Sequence, residues 1–303
     1  LQPCRAFTIE PMARLSARGL DHIVHAVRDL DAAAELYRRM GFTVGARNRH
    51  PWGTHNSIVQ MPGFFIEVLT LGEPDKLGDD GFSRLFGAFN RDFLARGEGF
   101  SLLVLESADA RADEAAFRAA GIAQSEAMRF EREGKRPDGS AVRVAFSLVF
   151  AVNRHAPDNH FCVCQQHDPD NFWNPAFQSL ANGVTAVSGV VLAAERPGDH
   201  ARFLSAYAGV AELKGEGATV AADTPRGRIA VMTPADYREA FGVAPPPVRP
   251  GGRLAALRLA VDDLGQTRGT VAAGGVAFTT TADRVIITPE SAMGAAIVFE
   301  QIG

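Results

Sequence analysis

Two side chains sit where the surrounding strand pattern does not favour them. His22 opens the apolar run Ile23-Val24-His25-Ala26-Val27, and Glu67 interrupts Phe64-Phe65-Ile66-Glu67-Val68-Leu69. A carboxylate inside an apolar strand is costly without a partner, so Glu67 is expected to be paired or functional. His22, beside Asp21, is either a satisfied structural residue or a ligand. Seven of the eight histidines (His22, His25, His50, His55, His155, His160, His167) precede residue 168, so chemistry is expected in the first half of the chain. Trp52 and Trp173 can wall an apolar pocket. Arg129, Arg132, Arg136 and Arg143 crowd a hairpin that also holds Lys135. Guanidinium forks there suit a carboxylate or phosphate, and a solvated hairpin is the plain alternative. Gln165-Gln166-His167 is unusually polar for a buried strand, whereas Cys162 and Cys164 read as small strand residues.

The elements that must position these groups follow a repeat. Residues 19–71 read as a strand, a helix started by Asp29 and stopped by Gly41, then extended pieces at Phe42–Ala46, His55–Met61 and Phe64–Leu71. Pro62-Gly63 joins the last two as a tight turn. A two-residue turn pairs Gln60 with Phe65, Ile58 with Glu67 and Asn56 with Leu69, placing Asn56, Gln60 and Glu67 on one face and His55 on the other. The pattern recurs at 99–167, 185–233 and 253–301, the second copy with strands at Glu126–Glu131, Val142–Val152 and His160–Gln166. Four βαβββ copies make an internal repeat. Residues 168–182 break the pattern and place a boundary between residues 19–170 and 183–303, after an N-terminal arm at 1–18.

Composition bounds the class. The 303 residues are 46% hydrophobic and 22% charged, with a formal net charge of −4, as in a soluble globular protein. That balance offers no electrostatic footprint for nucleic acid, and no apolar run is long enough to span a bilayer. The arm holds no apolar stretch of secretory type. Three cysteines, an odd number, fit a reduced, cytoplasmic compartment. Gly-rich phosphate loops, a Gly-x-Ser-x-Gly elbow and zinc-finger spacing are absent.

Asp21-His22-Ile23-Val24, then Val27-Arg28-Asp29-Leu30 and a helix ending Met40-Gly41-Phe42, resemble the opening of the vicinal-oxygen-chelate superfamily of glyoxalases, fosfomycin-resistance proteins and extradiol dioxygenases. Gly53-Thr54-His55-Asn56, Phe65-Ile66-Glu67-Val68-Leu69, and Gln165-Gln166-His167-Asp168-Pro169 followed by Phe172-Trp173 are similar to its glyoxalase-like branch. The resemblance implies an α+β fold: four βαβββ modules forming two glyoxalase-like domains with curved mixed sheets, the active site lying in the cup of the first.

It also implies metal ligands on the first and last strands of each module. His22 and Glu67 match those positions and can meet a divalent ion such as Zn, Mn, Fe or Ni, as an incomplete site. Alignment by the apolar pattern puts Phe100, Gly189 and Ala256 where His22 stands. In the second module Cys164, Gln165 or His167 is the substitute for Glu67, and Glu300 is the one candidate carboxylate of the second domain. The expected chemistry is carried by His22 and Glu67, with Trp52, His55, Asn56, Gln60, Phe100, Arg143, Gln165 and His167 touching substrate. The implied partner is a small organic molecule, and the implied assembly a homodimer. The reaction would be a metal-assisted lyase, isomerase or oxygenase step, with Glu67 as general base if no metal takes part. A metal-free, resistance-type binding protein is the alternative, and a structural dimer module the third reading.

Overall fold

The computed structural model describes residues 16–135, 140–248 and 251–301. Most of the arm read over 1–18, Cys4, Arg136, the side chain of Lys135, and residues 137–139 and 249–250 lie outside these.

The chain opens with β1 (Leu20–Ala26), α1 (Leu30–Arg39), β2 (Asn48–Arg49), β3 (Thr54–Met61) and β4 (Phe64–Leu71). A π-helical turn at Ser83–Ala88 runs into α2 (Phe89–Arg96). The second module is β5 (Gly99–Glu106), α3 (Ala110–Ala120), β6 (Met128–Lys135), β7 (Ala141–Ala151) and β8 (His160–Gln166), followed by the single turn α4 (Pro169–Phe172). The third is β9 (Val184–Ala193), α5 (Ala201–Ala208), β10 (Val220–Asp223), β11 (Arg228–Met232) and α6 (Pro234–Phe241). The fourth is β12 (Arg253–Val261), α7 (Leu264–Ala273), β13 (Thr279–Thr280), β14 (Arg284–Ile287) and β15 (Ala296–Gln301). The strand expected over Phe42–Ala46 is not laddered; its Gly45 N–H alone reaches Ile58 O at 2.9 Å, and pairing begins at Asn48. The strand expected at Glu126–Glu131 runs instead over Met128–Lys135.

The helices start where an acid can cap them. Asp29, Asp109 and Asp263 each accept hydrogen bonds from the backbone N–H groups two and three residues on, satisfying donors a first turn leaves bare. Helix α1 buries Leu30, Ala33, Ala34 and Tyr37 at helical spacing against the sheet.

Among the described residues the strands form two mixed sheets, ordered β2-β3-β4-β1-β5-β8-β7-β6 and β10-β11-β9-β12-β15-β14-β13. Each module pairs its first and last strands in parallel, and two modules meet through their antiparallel first strands. The fold is thus α+β, with two curved mixed sheets, each built from two paired modules. One large core joins the helix-covered faces of both sheets, including Ile23, Tyr37, Phe100, Tyr207 and Phe299. The domains are also stitched by hydrogen bonds: the Tyr207 hydroxyl lies 2.7 Å from Leu103 O and 2.8 Å from Cys162 O, and Arg226 donates to Leu20 O at 2.9 Å.

The other faces of the two sheets differ. On the second sheet, Tyr237 and Phe241 of α6 pack onto Val191, Ala256, Ile286 and Val298, filling that face. Glu300 is buried there, gripped by Arg258 at 2.7 Å, Arg284 at 3.3 Å and Ser188 at 2.6 Å. These contacts make it part of an ion-paired cluster. The corresponding face of the first sheet is open.

Candidate functional site

The open face is a cup of about 670 Å³ of empty space, counted out to its mouth. Its floor comes from alternate residues of the central strands: His22 of β1, Glu67 of β4, Leu102 of β5, and Cys162 and Cys164 of β8. Its walls are aromatic: Trp52, Phe65, Phe82, Phe86, Phe130, Phe146 and Phe172.

The β3–β4 hairpin has the register Gln60 opposite Phe65, Ile58 opposite Glu67 and Asn56 opposite Leu69. Asn56 and Glu67 therefore share the cup face. The Asn56 Nδ2 donates to Glu67 Oε1 at 2.6 Å and lies 3.4 Å from His50 Nε2, while its Oδ1 accepts from Asn48 Nδ2 at 3.1 Å. Burial raises the Glu67 pKa, against the opposing pulls of the His22 imidazole, the Asn56 hydrogen bond and the Arg132 guanidinium. His22 stacks on Phe65 at 4.2 Å, and its Nδ1 donates to Asp21 Oδ2 at 2.6 Å. Asp21 is held in turn by Gln166 Nε2 at 2.8 Å. The histidine is thus oriented by a carboxylate, which leaves Nε2 as its remaining ring nitrogen.

The sequence names His50 only among its histidines, Arg132 only within a hairpin cluster and Phe130 not at all; all three line the cup wall. His50 stacks on Trp52 at 4.7 Å, and Trp52 on Phe82 at 4.9 Å. Burial, then the nearby Arg132 and His55, push the His50 pKa down to about 3, so the ring is neutral near pH 7. Arg132 of β6 and Phe130 two residues before it both face the cup. Phe82 and Phe86, four residues apart at the π-helical turn, reach the same wall.

Other expected site residues lie elsewhere. Phe100 faces away from the cup into the shared core, 5.0 Å from the His25 ring. A register shift between Val24 and His25 pairs Val24 with Leu102 but His25 with Phe100, so the parity of β5 reverses there. The caps give the true equivalence: Asp29 follows His22 by seven residues, and Asp109 follows Leu102 by seven. Leu102, not Phe100, is the counterpart of His22. His55 lies on the opposite face of β3 from Asn56 and pairs with Glu73 at 2.9 Å. Gln165 caps the start of α3, accepting from Ala110 N at 3.1 Å and donating to Ala108 O at 3.0 Å. His167 Nε2 meets Ser147 Oγ at 2.8 Å, and Arg143 pairs with Asp168 at 3.2 Å; neither lines the cup. Gln60 acts one step removed. Its amide donates to Phe172 O at 2.8 Å and accepts from Asn174 N at 2.9 Å, pinning the segment after β8 so that Phe172 closes one wall.

The donor set does not fit a divalent ion. Among the described residues no group of three or more His, Cys, Asp or Glu side chains is placed to hold one. The positions related to His22 and Glu67 in the second module are Leu102 and Cys162, so that module supplies neither a second histidine nor a second carboxylate.

A model of the glyoxalase-like domain matches residues 20–208, from β1 through α5. The chain belongs to the glyoxalase-like domain family. No curated protein matches its sequence significantly. Among solved structures, a hypothetical protein from Staphylococcus aureus superposes with a TM-score of 0.66 at 12% identity, over 94% of this chain and 100% of that one. A triple mutant of 4-hydroxymandelate synthase from Streptomyces coelicolor gives 0.56 at 14% identity, over 95% and 94%. A xylose isomerase-like TIM barrel/4-hydroxyphenylpyruvate dioxygenase fusion protein gives 0.56 at 14%, over 97% of this chain and 51% of that one. At such identities the glyoxalase-like protein shares their fold, and fold alone does not fix chemistry.

Proposed function

We propose that this glyoxalase-like protein is a lyase or isomerase of a small organic molecule, with Glu67 as general base. One observation carries the reading: a carboxylate on the floor of an aromatic cup whose pKa is raised by burial, with Asn56 fixing its Oε1. A carboxylate whose pKa is raised is a stronger base once ionised, which suits proton abstraction. Glu67 takes a proton from carbon beside a carbonyl, the C–H electron pair forms a C=C bond as the carbonyl π pair moves onto oxygen, and on collapse of the enolate the proton returns at the neighbouring carbon or a β leaving group departs with its bonding pair. Asn56 holds the base in place. His22, oriented by Asp21, presents its other nitrogen to the substrate oxygen and can exchange a proton there. The aromatic walls exclude water and pack on a flat body.

The test uses aryl ketones bearing an α-hydrogen, incubated in D2O and followed by proton NMR. Wild type is expected to exchange the α-proton. E67Q should slow that by about 10²–10⁴-fold, the range of general base catalysis. EDTA should leave the rate unchanged. No exchange above buffer with wild type, or an equal rate with E67Q, overturns the reading. A second reading, metal-free sequestration of an aromatic compound, is favoured by the His50–Trp52–Phe82 stack. It predicts tight binding without exchange. The homodimer is likewise a proposal, to be tested by sedimentation velocity.

A further inference from the structure

Arg132 is unlike the arginines around it. Arg129 pairs with Glu131 at 3.2 Å and Arg143 with Asp168 at 3.2 Å, both on the outer surface. Arg132 instead lines the cup and is half-buried. Among the described residues no carboxylate comes within salt-bridge distance of it, and its one hydrogen bond is a long 3.5 Å contact to Glu133 O. Glu67, the acid in the same cup, is bonded to Asn56 instead. A guanidinium partly stripped of water, on which Glu67 acts only across the cup with no direct bond, carries a desolvation cost that a ligand anion can offset.

We infer that the ligand of this cup is an aromatic monocarboxylate, its carboxylate seated on the Arg132 guanidinium and its ring among Trp52, Phe82 and Phe130. The planar fork matches a planar carboxylate in two parallel hydrogen bonds. A single anionic charge fits because Arg132 is the one arginine or lysine among the described cup-lining residues and Glu67 stands opposite it. A phosphate dianion would exceed that compensation. Aromatic walls select a flat apolar body over an aliphatic or sugar-like one. The inference rests on the cup being the ligand site, and it holds whether or not Glu67 performs the chemistry.

The experiment is calorimetric titration of 3-phenylpropionate and indole-3-propionate, each against its primary amide, into the full-length protein. The acids are expected to bind at least about tenfold tighter than the amides, as a hydrogen bond to a charged group allows. R132M should erase that gap while the amides still bind, and R132K should retain part of it. Equal binding of acid and amide to wild type, a gap that survives in R132M, or no binding of either series overturns the inference. The wild-type comparison needs no variant, so a misfolded mutant cannot mask the result. An intact acid preference without Glu67-dependent exchange sinks the catalytic reading alone. Exchange without acid preference sinks this one alone.

Discussion

Asn56 reaches across the β3–β4 hairpin to the Glu67 carboxylate at 2.6 Å, and among the described residues this is the carboxylate's one hydrogen bond. The bond opposes burial, which otherwise holds the Glu67 pKa up. Asn56→Leu should therefore raise that pKa further. A hydrogen bond to a charged group is worth about 1.5–3 kcal/mol, so the acidic limb of a Glu67-dependent rate should move up by about one to two pH units. A pH–rate profile checks this, and an unmoved limb would detach Glu67 from the base role.

Glu67 also couples stability to pH. Its folded pKa lies above its unfolded value, so between the two the native state holds the extra proton. Its contribution to stability is therefore lost as pH rises through that window. E67Q removes the ionisation. The variant should be more stable than wild type near pH 8 and no more stable near pH 4. Each kcal/mol relieved raises Tm by about 2–4 °C in a protein of this size class. Calorimetric scans at both pH values decide it.

Buried histidines work in the opposite sense. Burial depresses His25 and His160 to about 4 and His50 to about 3, against the ordinary histidine value of about 6.5. Between those values the unfolded chain binds more protons than the native one. Stability should therefore fall as pH drops from 6.5 toward 4, with His25 alone contributing on the order of 3 kcal/mol across that span. Urea midpoints measured from pH 7 to 4 should decline, and the decline should lessen in H160F, which keeps a ring against Phe89.

How much of this was legible in the sequence depends on whether a local rule fixed the geometry. Pro62-Gly63 dictated a two-residue turn, Gly63 having φ +69°, so the shared face of Asn56 and Glu67 could be read directly. Phe100 could not be placed, because a register shift in the β1–β5 pairing reverses which residues face inward and leaves no mark on the apolar pattern. The caps Asp29 and Asp109 carried the correct offset. His50 follows a strand of two residues, too short to show a period, and Arg132 sits in a hairpin so charged that alternation is hidden. The packing of α6 over the second sheet is a long-range contact, and amphipathic spacing of Tyr237 and Phe241 does not name its target.

Tyr207 ties the second domain to the floor of the cup. Its hydroxyl proton is shared between Leu103 O and Cys162 O, and Cys162 lines the cup. Tyr207→Phe removes the donor while keeping the ring. The expected cost is about 1–2 kcal/mol. Aromatic ligands should also bind more weakly, because β8 loses its brace from below. Denaturant titration and calorimetric binding on the same sample measure both, and an unchanged affinity would make the contact purely a stabilising one.

Phe100 and Leu102 stand two residues apart on β5 and face opposite ways, so they should fail differently. Phe100 is fully buried against His25 in the core that both domains share. Phe100→Ala should cost about 3–5 kcal/mol, the usual penalty for emptying a large core position. Ligand affinity of the fraction that remains folded should stay near wild type. Leu102 borders the cup beside Val24. Leu102→Phe should shrink the cup and weaken binding of a naphthyl acid more than of a phenyl acid, since the added ring takes volume from the larger ligand first. If the phenyl and naphthyl acids lost affinity equally in Leu102→Phe, or if Phe100→Ala altered that ratio instead, the assignment of Leu102 as the structural counterpart of His22 within the cup would be wrong.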